Sequence, residues 1–495
     1  MKESAPRFVR LGQRSRQRGA IAIMSAALVL LILGFFALAI DLSRVYNRRA
    51  ELHTAADAAA IAAADKLNGT AAGVAAALAA ARGLIEDGDN GPRYMYVNKM
   101  RWDDAAIAFS TSRDGAAGWR TSTQASAAPA GLMVAKVDTS ALDDSYGLVQ
   151  AFFAPLLSAG AIQVGHVAVA GRSRVNVTPF AVCAMSTDPH AKRTNTGGST
   201  YDELVEYGFR RGISYNLMRL NPNGTSPLNF QVDPVALAGN GSSSTHFNAW
   251  LYEPYICSGT MTVPRVTGAS VGVQSPFPIG TYYTHLNSRF DPYTGSCDLN
   301  AAPPDTNVKQ YPYASISWMS PKPASQSATS DTAGDTRLQT IADAGPPNHP
   351  AIANYGPLWS FARAVPWSSY EQQGSPEPAG GYTTFSANTT VWRALYGTDA
   401  GATTGTGSYP SATPYLATSG STFVQTPGTS RSPGSKFRRV LNVPLLACPV
   451  TGSAATVLAV GKFFMTVPAD ATSIYAEFGG VATEDALGGR VEIFQ

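Results

Sequence analysis

The sequence predicts an α+β protein with a transmembrane helix at its N-terminus, then a small α+β unit, and then a β-rich, sandwich-like region. Three observations support this prediction. Residues 20–40 contain no charged side chain, the alanine-rich stretch that follows keeps a helical pattern to residue 64, and short β-type runs dominate from residue 176. Charged residues make up only 14% of the chain, which also contains 46 glycines and 33 prolines, and this composition is typical of an exported β-rich protein.

The apolar segment Ala20–Ile40 has the length of a membrane span. Its 21 residues would form a helix about 31 Å long, which matches the hydrocarbon core of a bilayer. The tail at 1–18 carries six basic residues against one acidic residue, so the N-terminus is expected in the cytoplasm and the rest of the chain in the periplasm. The lipid bilayer is therefore an expected partner, and Arg44 and Arg48 are expected to reach the headgroups. So short a basic arm does not indicate nucleic-acid binding.

Two processing sites compete with a permanent anchor. Ala37–Leu38–Ala39 fits a signal-peptidase site, and cleavage there would release the chain from Ile40 onward. The other candidate is cleavage after Gly19. The apolar segment is longer than a usual signal core and its helical pattern continues through Ala39, so we expect the anchor to be retained.

The segment from Arg18 to Ala64 carries a family resemblance. The sequence "RGAIAIMSAALVLLILGFFALAIDLSRVYNRRAELHTAADAAAIAAA" resembles the N-terminal segment of TadG-like proteins of the tight-adherence, Flp-type pilus system. The resemblance covers about 50 residues. It implies a pilin-like protein of the bacterial inner membrane whose periplasmic part supports pilus assembly together with other pilus-assembly or pilin-like membrane proteins.

This sequence departs from the family pattern in two places. Pilin-type subunits that are cleaved by prepilin peptidase usually carry glutamate five residues after the cleaved glycine, whereas Met24 stands there. Cleavage after Gly19 is therefore not expected. Some longer members carry a von Willebrand A domain with a D-x-S-x-S metal loop, and this sequence contains no such loop.

Four parts are expected along the chain. They are a basic cytoplasmic tail (1–18), a transmembrane and alanine-rich helix (19–67), a pilin-like α+β unit (68–175) and the β-rich periplasmic region (176–495). Ala55, Ala59 and Ala62 are candidates for close helix contacts with a partner, because small residues let helices approach each other. In the α+β unit, the patterns predict a resumed helix at 71–82, strands at 132–137 and 162–170, and a short helix at 148–157.

The β-rich region is expected to contain both strands and flexible stretches. Apolar runs predict strands at 260–266, 314–318, 440–447, 457–467 and 473–478. Residues 321–347 and 398–436 are rich in Ser, Thr, Gly, Ala and Pro, so they are expected to be flexible. Between them lies an aromatic stretch, 355–370, for which both a core role and an exposed contact surface remain open.

The four cysteines are expected to form disulfides. Cys183, Cys257, Cys297 and Cys448 are an even number in a compartment that permits oxidation. Three connectivities are possible, and the pair Cys257–Cys297 closes the shortest loop of those considered. No C-x-x-C spacing occurs, so zinc and thioredoxin-type redox chemistry are not expected.

No sequence motif makes a case for catalysis. Gly268–Gly272 fits G-x-S-x-G around Ser270, but two prolines follow where a nucleophile elbow needs a helix. No cofactor, catalytic residue or metal site is therefore expected, and a small-molecule ligand stays unknown. The sequence thus predicts a non-enzymatic, single-pass inner-membrane component of Flp-type pilus assembly. The alternative is a secreted β-rich adhesin or carbohydrate-binding module released by signal peptidase.

Overall fold

The computed structural model divides the chain into two compact units. Unit 1 consists of Met1–Gly171 with Ile493–Gln495, and unit 2 consists of Arg172–Glu492. The structure describes residues 17–67, 71–86, 100–111, 115, 118–129, 132–150, 161–194, 202–235, 243–263, 265–293, 297–311, 360–385, 413–418, 423–431, 434–489 and 491–494. The expected strand at 314–318 and the stretch 321–347 lie outside these residues.

Unit 1 is built around a long helix, α1 (Gln17–Lys66), and a second helix, α2 (Ala71–Glu86). The two helices pack against each other, and α1 also packs against a strand, β2 (Val134–Asp138). Alanine and leucine, which are abundant in α1, have high helix propensity. After Gly19, the described residues of α1 include no proline and one glycine, Gly34. The helix therefore continues unbroken from the apolar segment into the folded part of unit 1.

A four-stranded sheet completes unit 1. Its strand order is β1 (Ile107–Ser110), β2, β5 (Val167–Arg172) and β16 (Val491–Phe494). β1 pairs antiparallel with β2, and β2 pairs antiparallel with β5. The smaller elements of the unit are α3 (Ser122–Ala127), α4 (Asp144–Gly147) and a two-stranded pair of β3 (Leu148–Gln150) and β4 (Ala161–Gln163).

The described residues of unit 2 are organised around strands, with three α-helices beside them. The strands are β6 (Phe180–Cys183), β7 (Ala191–Thr194), β8 (Asp202–Glu206), β9 (Phe209–Arg210), β10 (Ser214–Asn216), β11 (Asn229–Val232), β12 (Ser270–Gln274), β13 (Val440–Leu446), β14 (Ala454–Met465) and β15 (Tyr475–Val481). The helices are α5 (Ala249–Ser258), α6 (Ile279–Leu286) and α7 (Trp367–Gln373). β7, β8 and β9 form a separate three-stranded sheet.

Five strands of the main sheet close into a ring. β14 pairs with β12 on one side and with β13 on the other. β12 pairs with β11, β11 with β6, and β6 with β13, while β15 and β10 extend the sheet from β14. The α+β class is confirmed, and five strands of its β-rich part hydrogen-bond around a circle.

Alternate side chains of the ring enter two different hydrophobic clusters. Phe180 and Val182 belong to one cluster, whereas Ala181 and Cys183 belong to the other. This is the two-residue period of a strand that is buried on both faces. The first cluster also contains Phe209, whose ring centroid lies 5.4 Å from that of Phe463 in a T-shaped arrangement.

Some local expectations were wrong. Leu148–Gln150 form a strand and not the start of a helix, because they pair with Ala161–Gln163; residues 151–160 lie outside the described residues. The run 162–170 divides into β4 and β5. In 260–266, Met261 makes only an isolated bridge to Val175.

The stretch 398–436 is not simply a flexible surface loop. Among its described residues, Tyr415 is 4% and Phe423 6% exposed. The hydroxyl of Tyr415 donates to Asp305 Oδ1 at 3.0 Å and accepts a hydrogen bond from the main-chain N–H of Phe437. These hydrogen bonds connect the stretch to the packed part of unit 2, so composition alone misjudged it.

The described aromatic residues of 355–370 are packed. The Phe361 ring stacks on Phe464 with a centroid separation of 5.0 Å. Trp367 and Tyr370 are partly buried against a small cluster formed by Leu204, Val365 and Tyr382. The structure therefore favours the core role for these residues; Trp359 lies outside the described part of the chain.

Candidate membrane anchor and assembly site

The first part of α1 exposes a continuous apolar surface. From Ile21 to Ile40 every side chain is exposed except Ala37, which is half-buried. Phe35 and Phe36 are 67% and 64% exposed. Large exposed apolar surfaces mark sites that another apolar phase covers. Among the described residues, one helix is long and apolar enough to cross a membrane, and this segment belongs to it.

Burial begins at Asp41, where α1 enters the packed part of unit 1. Asp41 and Arg48 are both buried. Arg48 donates from Nε to the carbonyl oxygen of Tyr146 and forms a 3.0 Å ion pair with Glu51. Arg44 donates to the carbonyl oxygen of Gln150 at 3.1 Å. The expectation that Arg44 and Arg48 serve as headgroup anchors is therefore wrong, because both side chains attach α1 to its own unit.

The alanine stripe of α1 packs inside unit 1. Ala55 and Ala59 are fully buried, and Ala62 is half-buried. Their small side chains allow close packing of α1 with its neighbours α2 and β2. This burial corrects the expectation that Ala55 and Ala59 contact a partner helix, because both side chains face the chain's own core. Close packing through small residues therefore takes place within one molecule.

A cluster of His53, Asp57 and His166 lies beyond the apolar segment, where α1 meets the sheet of unit 1. His53 Nδ1 is 3.1 Å from Asp57 Oδ2, and His166 Nε2 is 3.8 Å from Asp57 Oδ1. Partial burial lowers the pKa of His166 from its usual value, and the positive charges of His53 and Arg49 act in the same direction. Sequence reasoning missed this cluster. The i,i+4 spacing of His53 and Asp57 was a usable signal, but nothing in the sequence connected His166 with them.

Unit 2 contains two disulfides. Cys257 in α5 is bonded to Cys297, and Cys183 at the end of β6 is bonded to Cys448 just after β13. β6 and β13 are neighbouring parallel strands, with Cys183 opposite Leu446. The expectation of disulfides is confirmed, and the second bridge fastens the parallel pair of the ring.

Glu477 is a fully buried carboxyl group on β15. It accepts hydrogen bonds from three consecutive main-chain N–H groups, those of Ser360, Phe361 and Ala362, at 2.7–3.0 Å. Burial nevertheless raises the pKa of Glu477 to about 7. The carboxyl group therefore titrates near neutral pH although it holds a structural position.

A cavity of about 450 Å³ in unit 2 has a basic lining. Arg289, Lys436, Arg438 and Lys462 contribute to it, and none of the described residues that line it carries a carboxylate. Arg289 and Arg438 donate to main-chain carbonyl oxygens in the last turn of α5. Cations interact favourably with the carbonyl groups at a helix C-terminus, so capping of α5 explains the position of these two guanidinium groups.

Ser270 does not occupy a nucleophile elbow. It is the first residue of β12, lies opposite Thr456 of β14, and is exposed. A nucleophile elbow places its serine between a strand and a following helix. The local structure is therefore that of an ordinary strand start.

These features define the class of the N-terminal region: an exposed apolar helix of membrane-spanning length that continues into a small folded unit. Residues 19–66 match the Tad family, described as "Putative Flp pilus-assembly TadE/G-like". The match covers α1 almost from end to end and supports a pilus-related role. No curated protein and no solved structure matches the chain.

Proposed function

We propose that this protein is a non-enzymatic, membrane-anchored component of Flp-type pilus assembly. It stands in the inner membrane with residues 1–18 in the cytoplasm and the chain from about residue 41 onward in the periplasm. Its partners are other pilus-assembly or pilin-like membrane proteins. The observation that carries the proposal is the coincidence of the family match at 19–66 with the exposed apolar surface at 21–40.

The remaining features are compatible with this role. Two disulfides fit an oxidising compartment such as the periplasm. The basic tail fits a cytoplasmic N-terminus. Because α1 passes without interruption from the apolar segment into unit 1, the anchor is an integral part of the fold. This continuity favours a retained anchor over a cleaved signal peptide.

The decisive experiment is deletion of the gene in a piliated strain. Surface pili and attachment should decrease, and the full chain should restore both. A variant with Leu30→Arg and Leu33→Arg should fail to restore them, because each charge at the centre of a membrane helix costs about 2.5–3.5 kcal/mol on insertion. Pili would be counted by electron microscopy, with membrane fractionation of the variant.

The matched control is Ser270→Ala, which removes the only hydroxyl that the sequence offered as a nucleophile and should restore piliation fully. Normal pili in the deletion strain would refute the proposal. Loss of a hydrolytic activity in Ser270→Ala would replace it by an enzymatic function.

A further inference from the structure

The geometry of His53, Asp57 and His166 points to a metal site that the sequence did not predict. We infer that these three side chains bind one divalent transition-metal ion, which joins helix α1 to His166, the residue that precedes strand β5. One ligand atom from each residue can be chosen so that all three atoms lie within 4.8 Å of one another. The ligands come from two distant parts of the chain, so the bound ion would cross-link them.

The ligand chemistry fits this class of ion. Two imidazole nitrogens and one carboxylate oxygen form the donor set of many three-ligand zinc sites, in which water completes the coordination. A metal–ligand bond of about 2.1 Å brings neighbouring ligand atoms to roughly 3.4 Å in a tetrahedral site. Asp57 Oδ2 lies 3.1 Å from His53 Nδ1 and Asp57 Oδ1 lies 3.8 Å from His166 Nε2, so the carboxylate faces both imidazoles at separations on either side of this value.

Two different local structures position these ligands. His53 and Asp57 lie one turn apart on the same face of α1, the arrangement by which helices present paired ligands. The main chain of His166 is fixed by Thr139, whose hydroxyl accepts from the His166 N–H at 2.8 Å. The Thr139 N–H in turn donates to the His166 carbonyl oxygen at 3.0 Å.

Access and charge also permit binding. His53 keeps 51% of its side-chain exposure, and Asp57 and His166 keep 21% and 24%, so an ion reaches the cluster from solvent. The Asp57 carboxylate supplies a negative charge. Arg49, one turn before His53, supplies an opposing positive charge that acts on His166. Because the charge of Arg49 opposes that of Asp57, the affinity for the metal ion is expected to depend on all three ligands together.

The test uses the full chain in lipid nanodiscs, with any histidine tag removed. Zn²⁺ would be titrated calorimetrically, and Co²⁺ would be added as a spectroscopic probe of the same site. We expect one ion per chain and visible Co²⁺ absorption typical of nitrogen and oxygen ligands. His53→Gln, Asp57→Asn and His166→Gln should each weaken Zn²⁺ binding by at least about tenfold.

The matched control is His246→Gln, which removes another imidazole that contacts a carboxylate, at 2.6 Å from Asp233, in unit 2. This variant should bind Zn²⁺ as the unmodified chain does. Because His53 is half exposed, His53→Gln is expected to keep the fold, which circular dichroism would verify. Unchanged Zn²⁺ affinity in folded His53→Gln, or no stoichiometric binding by the unmodified chain, would overturn the inference.

Discussion

At the scale of single residues, Glu477 makes stability depend on pH. Its pKa is raised by burial from about 4.5 to about 7, so the folded state holds the proton more tightly than the unfolded state does. The stabilisation from the protonated group is complete below pH 4.5 and is lost as the pH rises to about 7. The difference in free energy of unfolding amounts to about 3–4 kcal/mol, from about 1.4 kcal/mol per pKa unit.

We therefore predict that Glu477→Gln flattens the pH dependence of unfolding between pH 4.5 and 7. The amide resembles the protonated carboxyl group and does not ionise. Denaturant unfolding of the unmodified chain and the variant, followed by near-UV circular dichroism at several pH values, measures the difference. An identical slope in both proteins would show that Glu477 does not titrate in this range.

The residue scale also shows where sequence reasoning stops. The spacing of His53 and Asp57 is local and readable, since a helix places residues four apart on one face. The approach of His166, the residue before β5, depends on how the sheet of unit 1 packs against α1 through β2, and no local pattern encodes it. Arg48 was misjudged for the same reason, because its partner, the carbonyl oxygen of Tyr146, is 98 residues away.

At the scale of elements, the alanine stripe of α1 offers a direct test of intramolecular packing. Ala59→Leu should destabilise unit 1 by about 1–3 kcal/mol, because additional methylene groups have no space in a closely packed core. Ala50→Leu is the matched control, since Ala50 lies on the exposed side of the same helix. Thermal unfolding of both variants would be compared. Equal stability of the two variants would contradict the burial of Ala59.

Elements that depend on local sequence were predicted better than those that depend on partners. The helix was expected to end near Leu67 and ends at Lys66. The strands near 440–447 and 457–467 were also expected, because their apolar runs are long. The ring of five strands was not expected, because it closes only when β12 and β13, which are far apart in the sequence, both pair with β14. Composition cannot specify that choice.

At the scale of the whole molecule, the two disulfides should contribute unequally to stability. Cys183–Cys448 spans 265 residues and Cys257–Cys297 spans 40. A longer closed loop removes more entropy from the unfolded chain, and the chain-entropy relation gives a difference of about 1.7 kcal/mol. We predict that the double variant Cys183→Ser/Cys448→Ser loses more stability than Cys257→Ser/Cys297→Ser.

Both double variants remove a pair, so neither leaves a free thiol that could form new bonds. Denaturant midpoints under non-reducing conditions give the comparison, and mass spectrometry of non-reduced peptides verifies the pairs in the unmodified chain. Four free thiols in protein isolated from the periplasm, or a larger loss from the shorter loop, would contradict the prediction.

The arrangement in the membrane is a second prediction at this scale. A phosphatase reporter fused after residue 90 should be active, because the enzyme folds only outside the cytoplasm, and one fused after residue 15 should be inactive. This orientation is predicted from the basic tail that precedes the uncharged span. Reporter activity in the opposite pattern would reverse the proposed orientation.

Because the described part of α1 has no break, its apolar segment and the packed part of unit 1 would move together in the membrane. A 50-residue helix is about 75 Å long, and each residue contributes about 1.5 Å of height and 100° of rotation. In the arrangement that we propose, the helix continues through Ile40 and Asp41, so the number of residues between the membrane segment and the packed part of unit 1 sets the direction in which that part faces its neighbours. One inserted residue would turn the unit by more than a quarter of a circle, whereas seven would lift it by about 10 Å and nearly restore its direction.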